Sequence, residues 1–202
     1  MPLNTILVTA FAPFGGDKTN SSQMILDSLA DVVDGYTIVK TVLPVEFVGA
    51  PVAALEIYDK VKPSAVVMLG QAGGRSAITP EAVAKNVMNA NIPDAVGFKP
   101  EGAAIADGGA DILRSALPVE KMVRAIEAAG VPAYVSYDAG GYVCNCVFYS
   151  MMCRVGSGVP TGFIHVPFVD RQDKTPCLSL EDASKGVLAA LRAVVGAIDE
   201  TP

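Results

Sequence analysis

Residues 133–166 read AYVSYDAGGYVCNCVFYSMMCRVGSGVPTGFIHV, and their order decides the fold class. Ala133–Ser136 is a short strand-forming run, and Gly140-Gly141 supplies a tight turn. Tyr142–Arg154 reads as a helix, and Gly162–Val166 returns as an apolar strand. Strand, glycine turn, helix and strand in succession make the building unit of an α/β protein.

The same alternation extends outward in both directions. Thr5–Thr9 is a compact strand, and Asn20–Ala30 a helix with Ser21 or Ser22 as its cap and Met24, Ile25 and Leu29 on one face. Tyr36–Leu43 is a strand, and Val48–Lys60 a helix with Pro51 in its first turn. Ser64–Leu69 is a continuous apolar run of the kind buried in a parallel sheet. Residues 71–114 are Gly-rich and irregular, with Pro80–Ala90 closer to strand than to helix. Val119–Ala129 is amphipathic, with Val119, Met122, Val123 and Ile126 together and Gly130 as its stop. The last helix begins at a Ser179-x-x-Asp182 cap and buries Val187, Leu188, Leu191, Val194, Val195 and Ile198. Neither an internal repeat nor a linker interrupts this, so one α/β domain over residues 1–202 is expected, with helices on both faces of its sheet.

Composition narrows the function. The 202 residues are 51% apolar, which argues against disorder. A net charge of −6 lacks the basic footprint that nucleic acid or an anionic membrane requires. No apolar run is long enough to span a bilayer. The N-terminus lacks the basic, apolar, small-residue order of a signal peptide, so a cytoplasmic protein is expected. Disulfides are then not expected among Cys144, Cys146, Cys153 and Cys177. The spacing of these cysteines suits no zinc site, and neither metal nor cofactor is called for. Three of the four are read as small buried hydrophobes.

Cys144 is the exception. It follows Gly140-Gly141-Tyr142 at a helix start, where unpaired backbone N–H groups favour a thiolate and can receive an oxyanion. Cys146 points away from the same side of the helix. His165 is the only histidine in the chain and lies at the C-terminal end of the next strand, the side of an α/β sheet where sites form. Together they point to Cys–His catalysis. A third residue should orient the imidazole, and Glu81, Asp94, Asp138 and Asp170 are all candidates by spacing. Phe11 and Phe14 follow the first strand and are placed to line an apolar pocket. The Gly70–Arg75 loop, GQAGGR, matches neither a P-loop nor a dinucleotide fingerprint.

Several stretches in order resemble the pyroglutamyl peptidase I family of cysteine peptidases. They are VTAFAPFGGD (8–17), GQAGGR (70–75), ITPEAVA (78–84), NIPD (91–94), YVCN (142–145) and FIHVPF (163–168). The resemblance implies a three-layer α/β/α sandwich around a central twisted mixed sheet. It implies a Glu81–Cys144–His165 triad and a substrate pocket using Phe11, Phe14 and the backbone around Gln71. It implies peptides with an N-terminal pyroglutamate as substrates, and a homodimer or homotetramer. The chain departs from the family at Asn91, where Arg is usual on the substrate side, and at Ala95, where Asn is usual. Ala10 replaces a usual Gly and Ser21 a usual Pro. Asn91 therefore stands as a shorter, uncharged substrate-side donor. The departures leave two alternatives beside pyroglutamyl hydrolysis: a thiol amidase acting on another small cyclic amide, and a weakly active or non-catalytic binding protein on the same scaffold.

Overall fold

The computed structural model describes residues 4–156 and 158–200. Twelve strands are described: β1 (Thr5–Phe11), β2 (Val32–Val33), β3 (Tyr36–Leu43), β4 (Ala65–Gln71), β5 (Thr79–Glu81), β6 (Val83–Lys85), β7 (Met88–Asn89), β8 (Glu101–Ala103), β9 (Ile112–Arg114), β10 (Thr161–Val166), β11 (Phe168–Val169) and β12 (Cys177–Leu178). Five helices accompany them: α1 (Ser21–Ser28), α2 (Gly49–Val61), α3 (Val119–Ala128), α4 (Val143–Val155) and α5 (Leu180–Asp199). The central sheet has the order β2-β3-β1-β4-β10-β5. β3, β1, β4 and β10 run parallel, while β2 and β5 join antiparallel at the two edges. The sheet is thus mixed.

Alternation along the inner strands creates the three layers. Ile6, Val8, Val67, Leu69 and Ile164 face one side, where α1, α3 and α5 bury Ile25, Met122 and Val187 against them. Leu7, Phe11, Met68 and Phe163 face the other side, against Ala54 of α2 and Val147 and Phe148 of α4. Both faces are covered, so the inner strands read as unbroken apolar runs rather than as alternating ones.

Two local expectations are corrected. The cap of α1 is Asn20, whose side chain accepts the Ser22 N–H at 3.0 Å, while Ser21 and Ser22 are buried in the first turn. Ala133–Ser136 does not form a continuous strand. It runs beside β5 with bridges only at Ile78–Ala133 and Glu81–Ser136. Tyr134 donates to Ile78 O and Ser136 to Pro80 O, but Pro80 has no N–H to return to this segment, and the ladder breaks there. The α5 stripe is as expected, with Leu188 and Ile198 at its partly buried margin.

Candidate active site

β10 carries His165 into a sheet position that brings three distant segments together. In register, His165 faces Gly70 of β4 on one side and Thr79 of β5 on the other. Glu81 lies two residues beyond Thr79 on the same face of β5, diagonal to His165, where a long side chain reaches across. Its Oε1 accepts the His165 Nδ1–H at 2.8 Å. Glu81 is fully buried and His165 is 5% exposed. The carboxylate fixes the proton on Nδ1 and leaves Nε2 as a free acceptor.

The other three candidate carboxylates are committed elsewhere. Asp94 caps its own loop, accepting the N–H groups of Val96, Phe98 and Phe47. Asp138 is exposed and pairs with Lys85 at 2.9 Å. Asp170 accepts the Leu180 N–H.

Cys144 occupies the second position of α4, after the N-cap Tyr142. The N–H groups of this first turn, that of Cys144 included, have no intrahelical partner. Its sulfur lies over the β4–β10 pair: a Cβ placed on Gly70 would stand 2.9 Å from Sγ and 2.6 Å from the Phe163 ring. A side chain at position 70 would meet first the Phe163 ring and then the Cys144 sulfur, so only glycine fits there. The Phe163 ring in turn packs 4.8 Å from the imidazole, centroid to centroid.

The electrostatics favour an uncharged resting pair. Burial pushes the Cys144 thiol up to about 12, outweighing the pull of the helix start that the sequence leads one to expect. Burial also lowers the affinity of His165 for a proton, against the opposing pull of Glu81. Burial alone would raise the Glu81 carboxyl. Hydrogen bonds and charge from His165, with smaller contributions from Ser136 and Arg75, hold it below the ordinary carboxylate range instead.

A cavity of about 260 Å³ opens beside Cys144, lined among others by Phe11, Phe14, Gln71, Ile92 and Tyr142. It is smaller than the range of about 300–1,000 Å³ typical of drug-sized ligands. His165 and Glu81 are not among its lining residues. The only charged side chains in the lining, Asp17 and Lys174, are paired with each other at 2.5 Å. Phe14 stacks on Tyr142 at 5.7 Å, and Tyr142 meets Phe47 edge-on at 5.2 Å, which stiffens this wall. The Gln71 side-chain oxygen is spent on the scaffold: Oε1 accepts from Ser21 N and from Gln172 Nε2. Asn91 is exposed and lies outside the lining, next to Ile92, which is part of it.

Of the remaining cysteines, only Cys146 is the buried hydrophobe expected, its thiol donating to Phe47 O at 3.4 Å. Cys153 and Cys177 are exposed, contrary to the sequence reading, because their positions on α4 and β12 turn them outward. A residue without a sequence signal also enters the site. Arg75 Nη1 donates to Glu81 Oε1 at 2.7 Å and to the Thr79 hydroxyl, and Nη2 donates to Asp138 O at 2.9 Å. Its one clue was an arginine closing a glycine-rich loop directly after a buried strand.

Comparison with known proteins shows which family the chain resembles along its length. The family model described as pyroglutamyl peptidase matches residues 4–197. The chain is 41% identical over 198 residues to the pyrrolidone-carboxylate peptidase of Lactobacillus acidophilus, covering 95% of this chain and 99% of that one. It is 40% identical to the corresponding peptidase of Thermococcus kodakarensis, over 94% of this chain and 95% of the relative. Among solved structures, the pyroglutamyl peptidase I of Bacillus amyloliquefaciens superposes with a TM-score of 0.91 at 36% identity, covering 96% and 97% of the two chains. The pyrrolidone carboxyl peptidase of Thermococcus litoralis gives 0.93 at 29% identity, covering 98% and 96%. With a family match across nearly its whole length and relatives of equal extent, the chain belongs to the pyroglutamyl peptidase family, and it is an enzyme of that family, a hydrolase.

Proposed function

We propose that the protein removes an N-terminal pyroglutamyl residue from peptides, with Cys144 as nucleophile, His165 as acid and base, and Glu81 as the group that orients His165. In the resting pair the sulfur carries its proton and the imidazole is neutral. The thiol proton passes to His165 Nε2 as sulfur attacks the carbonyl carbon joining the lactam residue to the next amino acid. The Cys144 N–H receives the oxyanion. His165 then gives that proton to the leaving amine as the C–N bond breaks, leaving a thioester. Next, His165 takes a proton from water, hydroxide adds to the thioester, and pyroglutamate leaves as the sulfur regains its proton.

The observation that carries the substrate assignment is the charge state of the cavity. A free N-terminal ammonium needs an anionic partner, and the only lining carboxylate, Asp17, is committed to Lys174. A lactam has no such charge, and Phe11 and Phe14 give its ring apolar walls. Gln71 would contact it through backbone, since its side-chain oxygen is engaged elsewhere. Asn91 beside the mouth leaves that rim without the usual arginine charge, which favours a second reading: a thiol amidase on another small cyclic amide. The test compares pyroglutamyl-, prolyl- and alanyl-aminomethylcoumarin. The proposal expects cleavage of the first alone; prolyl cleavage at equal or greater rate would refute it, because proline keeps the ring and adds the charge.

Residues 1–202 are taken as one catalytic domain acting in the cytoplasm as a homodimer or homotetramer. Among the described residues no helix is long and apolar enough to cross a membrane. Light scattering on the eluting protein measures the assembly.

A further inference from the structure

We propose that Arg75 is a positioning residue: its guanidinium holds the Glu81 carboxylate, and through it His165, in register with the helix start that carries Cys144. The inference rests on the catalytic reading above and extends it to a residue outside the triad.

The geometry is a three-point clamp. Nη1 holds Glu81 Oε1 and the Thr79 hydroxyl, and Nη2 holds the Asp138 carbonyl. Thr79 passes the connection on, its hydroxyl donating to His165 O at 3.3 Å. Asp138 begins the loop that runs through Gly140 and Gly141 into α4, and its Oδ1 accepts the Gly140 N–H. One planar group therefore ties together the strand that carries Glu81, the backbone of His165, and the approach to Cys144. A lysine ammonium is a point charge on a flexible stem and cannot span the same three acceptors in a fixed plane.

Charge gives a second reason. Glu81 is fully buried, and a buried carboxylate needs a partner of opposite charge. His165 is the larger stabiliser of this carboxylate, and Arg75 adds a second hydrogen bond from a group whose charge does not depend on the protonation of the imidazole. The charged groups that act on the imidazole are Glu81 from β5, Arg75 from the loop after β4 and Asp138 from the loop before α4. Among them Arg75 alone opposes a positive imidazole, while Glu81 and Asp138 favour it. Arg75 thus adds to the groups that hold Glu81 ionised and helps His165 release the proton it has accepted.

Arg75→Gln and Arg75→Lys test this, read by kinetics on pyroglutamyl-aminomethylcoumarin across pH and by NMR titration of the imidazole. As His165 is the only histidine, its signal needs no assignment. For Arg75→Gln, kcat should fall on the order of tenfold to a hundredfold, with KM little changed. Its acid limb and the imidazole midpoint should both move up by about one pH unit, because loss of a nearby positive charge raises the proton affinity of the Glu81–His165 pair. Arg75→Lys keeps the charge, so its midpoint should stay near wild type while kcat recovers only in part. A folded Arg75→Gln protein with wild-type kcat, or with reduced kcat but an unmoved limb and midpoint, overturns the proposal. Should Arg75→Gln fail to fold, Arg75→Lys carries the test, and wild-type kcat in it is the contrary result. Inability of the wild type to cleave the pyroglutamyl substrate would refute the substrate reading instead, and the imidazole titration would still report on Arg75.

Discussion

Glu81 and His165 are 84 residues apart in sequence, yet Oε1 of one lies 2.8 Å from Nδ1 of the other inside the sheet. The bond is made between two adjacent antiparallel strands, not between loops, so β-sheet register sets its geometry. A shift of one residue in β5 would turn Glu81 to the opposite face.

Removing the charge of Glu81 while keeping its shape should therefore be costly. In Glu81→Gln the amide presents either its oxygen to Nδ1–H without a charge, or its NH2 group, which would force the other imidazole tautomer. The expected loss in kcat is on the order of a hundredfold to ten-thousandfold with the fold retained. Circular dichroism together with steady-state kinetics checks it, and a folded variant within a fewfold of wild type would remove Glu81 from the mechanism.

Gly70→Ala probes the seat of the sulfur. The new methyl would sit 2.6 Å from the ring of Phe163, a fully buried side chain packed between Phe11, Phe148 and His165. The ring clash strains the packed core, and the Cys144 sulfur, 2.9 Å away at the edge of a cavity, is the neighbour with room to shift. Overpacking should cost about 1–3 kcal/mol of stability. Displacing the nucleophile by about 1 Å should lower kcat roughly a hundredfold. Urea melts and kinetics on the same preparation separate the two effects; an active variant with only reduced stability would mean that the sulfur tolerates displacement.

Most of the scaffold was legible because its signals are local. The inner strands announce themselves as apolar runs, α5 by its Ser179 cap and its stripe, and Cys144 and His165 by a helix start and by uniqueness. What was not legible depends on contacts between distant segments. Spacing left four carboxylates open as partners of His165, and only folding shows that Asp94 accepts two N–H groups of its own loop and a third from distant Phe47. The part Arg75 plays was hidden, although it closes a quoted glycine-rich loop, because its three acceptors come from Thr79, Glu81 and Asp138. The Ala133–Ser136 ladder fails through a proline that lies on a different segment. Cytoplasmic chemistry argued against disulfides, but it says nothing about which way a thiol faces, which is why Cys153 and Cys177 were misplaced.

Stability should fall on both sides of neutrality. His165 and Glu81 both have proton affinities lowered in the fold, so the unfolded chain takes up protons first, and stability is lost as pH falls. The loss begins below 6.5 for His165 and deepens below 4.5 for Glu81, their ordinary values. Cys144 and Cys146 are raised to about 12 and about 11, so the unfolded thiols ionise first above their ordinary 9.0, and stability is lost as pH rises. Tyr142, raised to about 12, adds to this only above its ordinary 10.0. Urea midpoints measured across pH should show a plateau between these limits. The decline just above pH 9 should flatten in a Cys144→Ala, Cys146→Ala double variant; an unchanged slope there would assign it to other groups.

In the proposed mechanism Cys144 alone forms the acyl bond, and mass mapping of a trapped enzyme measures this directly. Acid-quenched wild-type protein turning over a pyroglutamyl substrate, digested at low pH, should carry the pyroglutamyl adduct on the peptide containing Cys144. The adduct should be absent in Cys144→Ser, while Cys146→Ser, Cys153→Ser and Cys177→Ser retain it together with most of the activity. An adduct on any other cysteine, or full turnover by Cys144→Ser, would contradict the account.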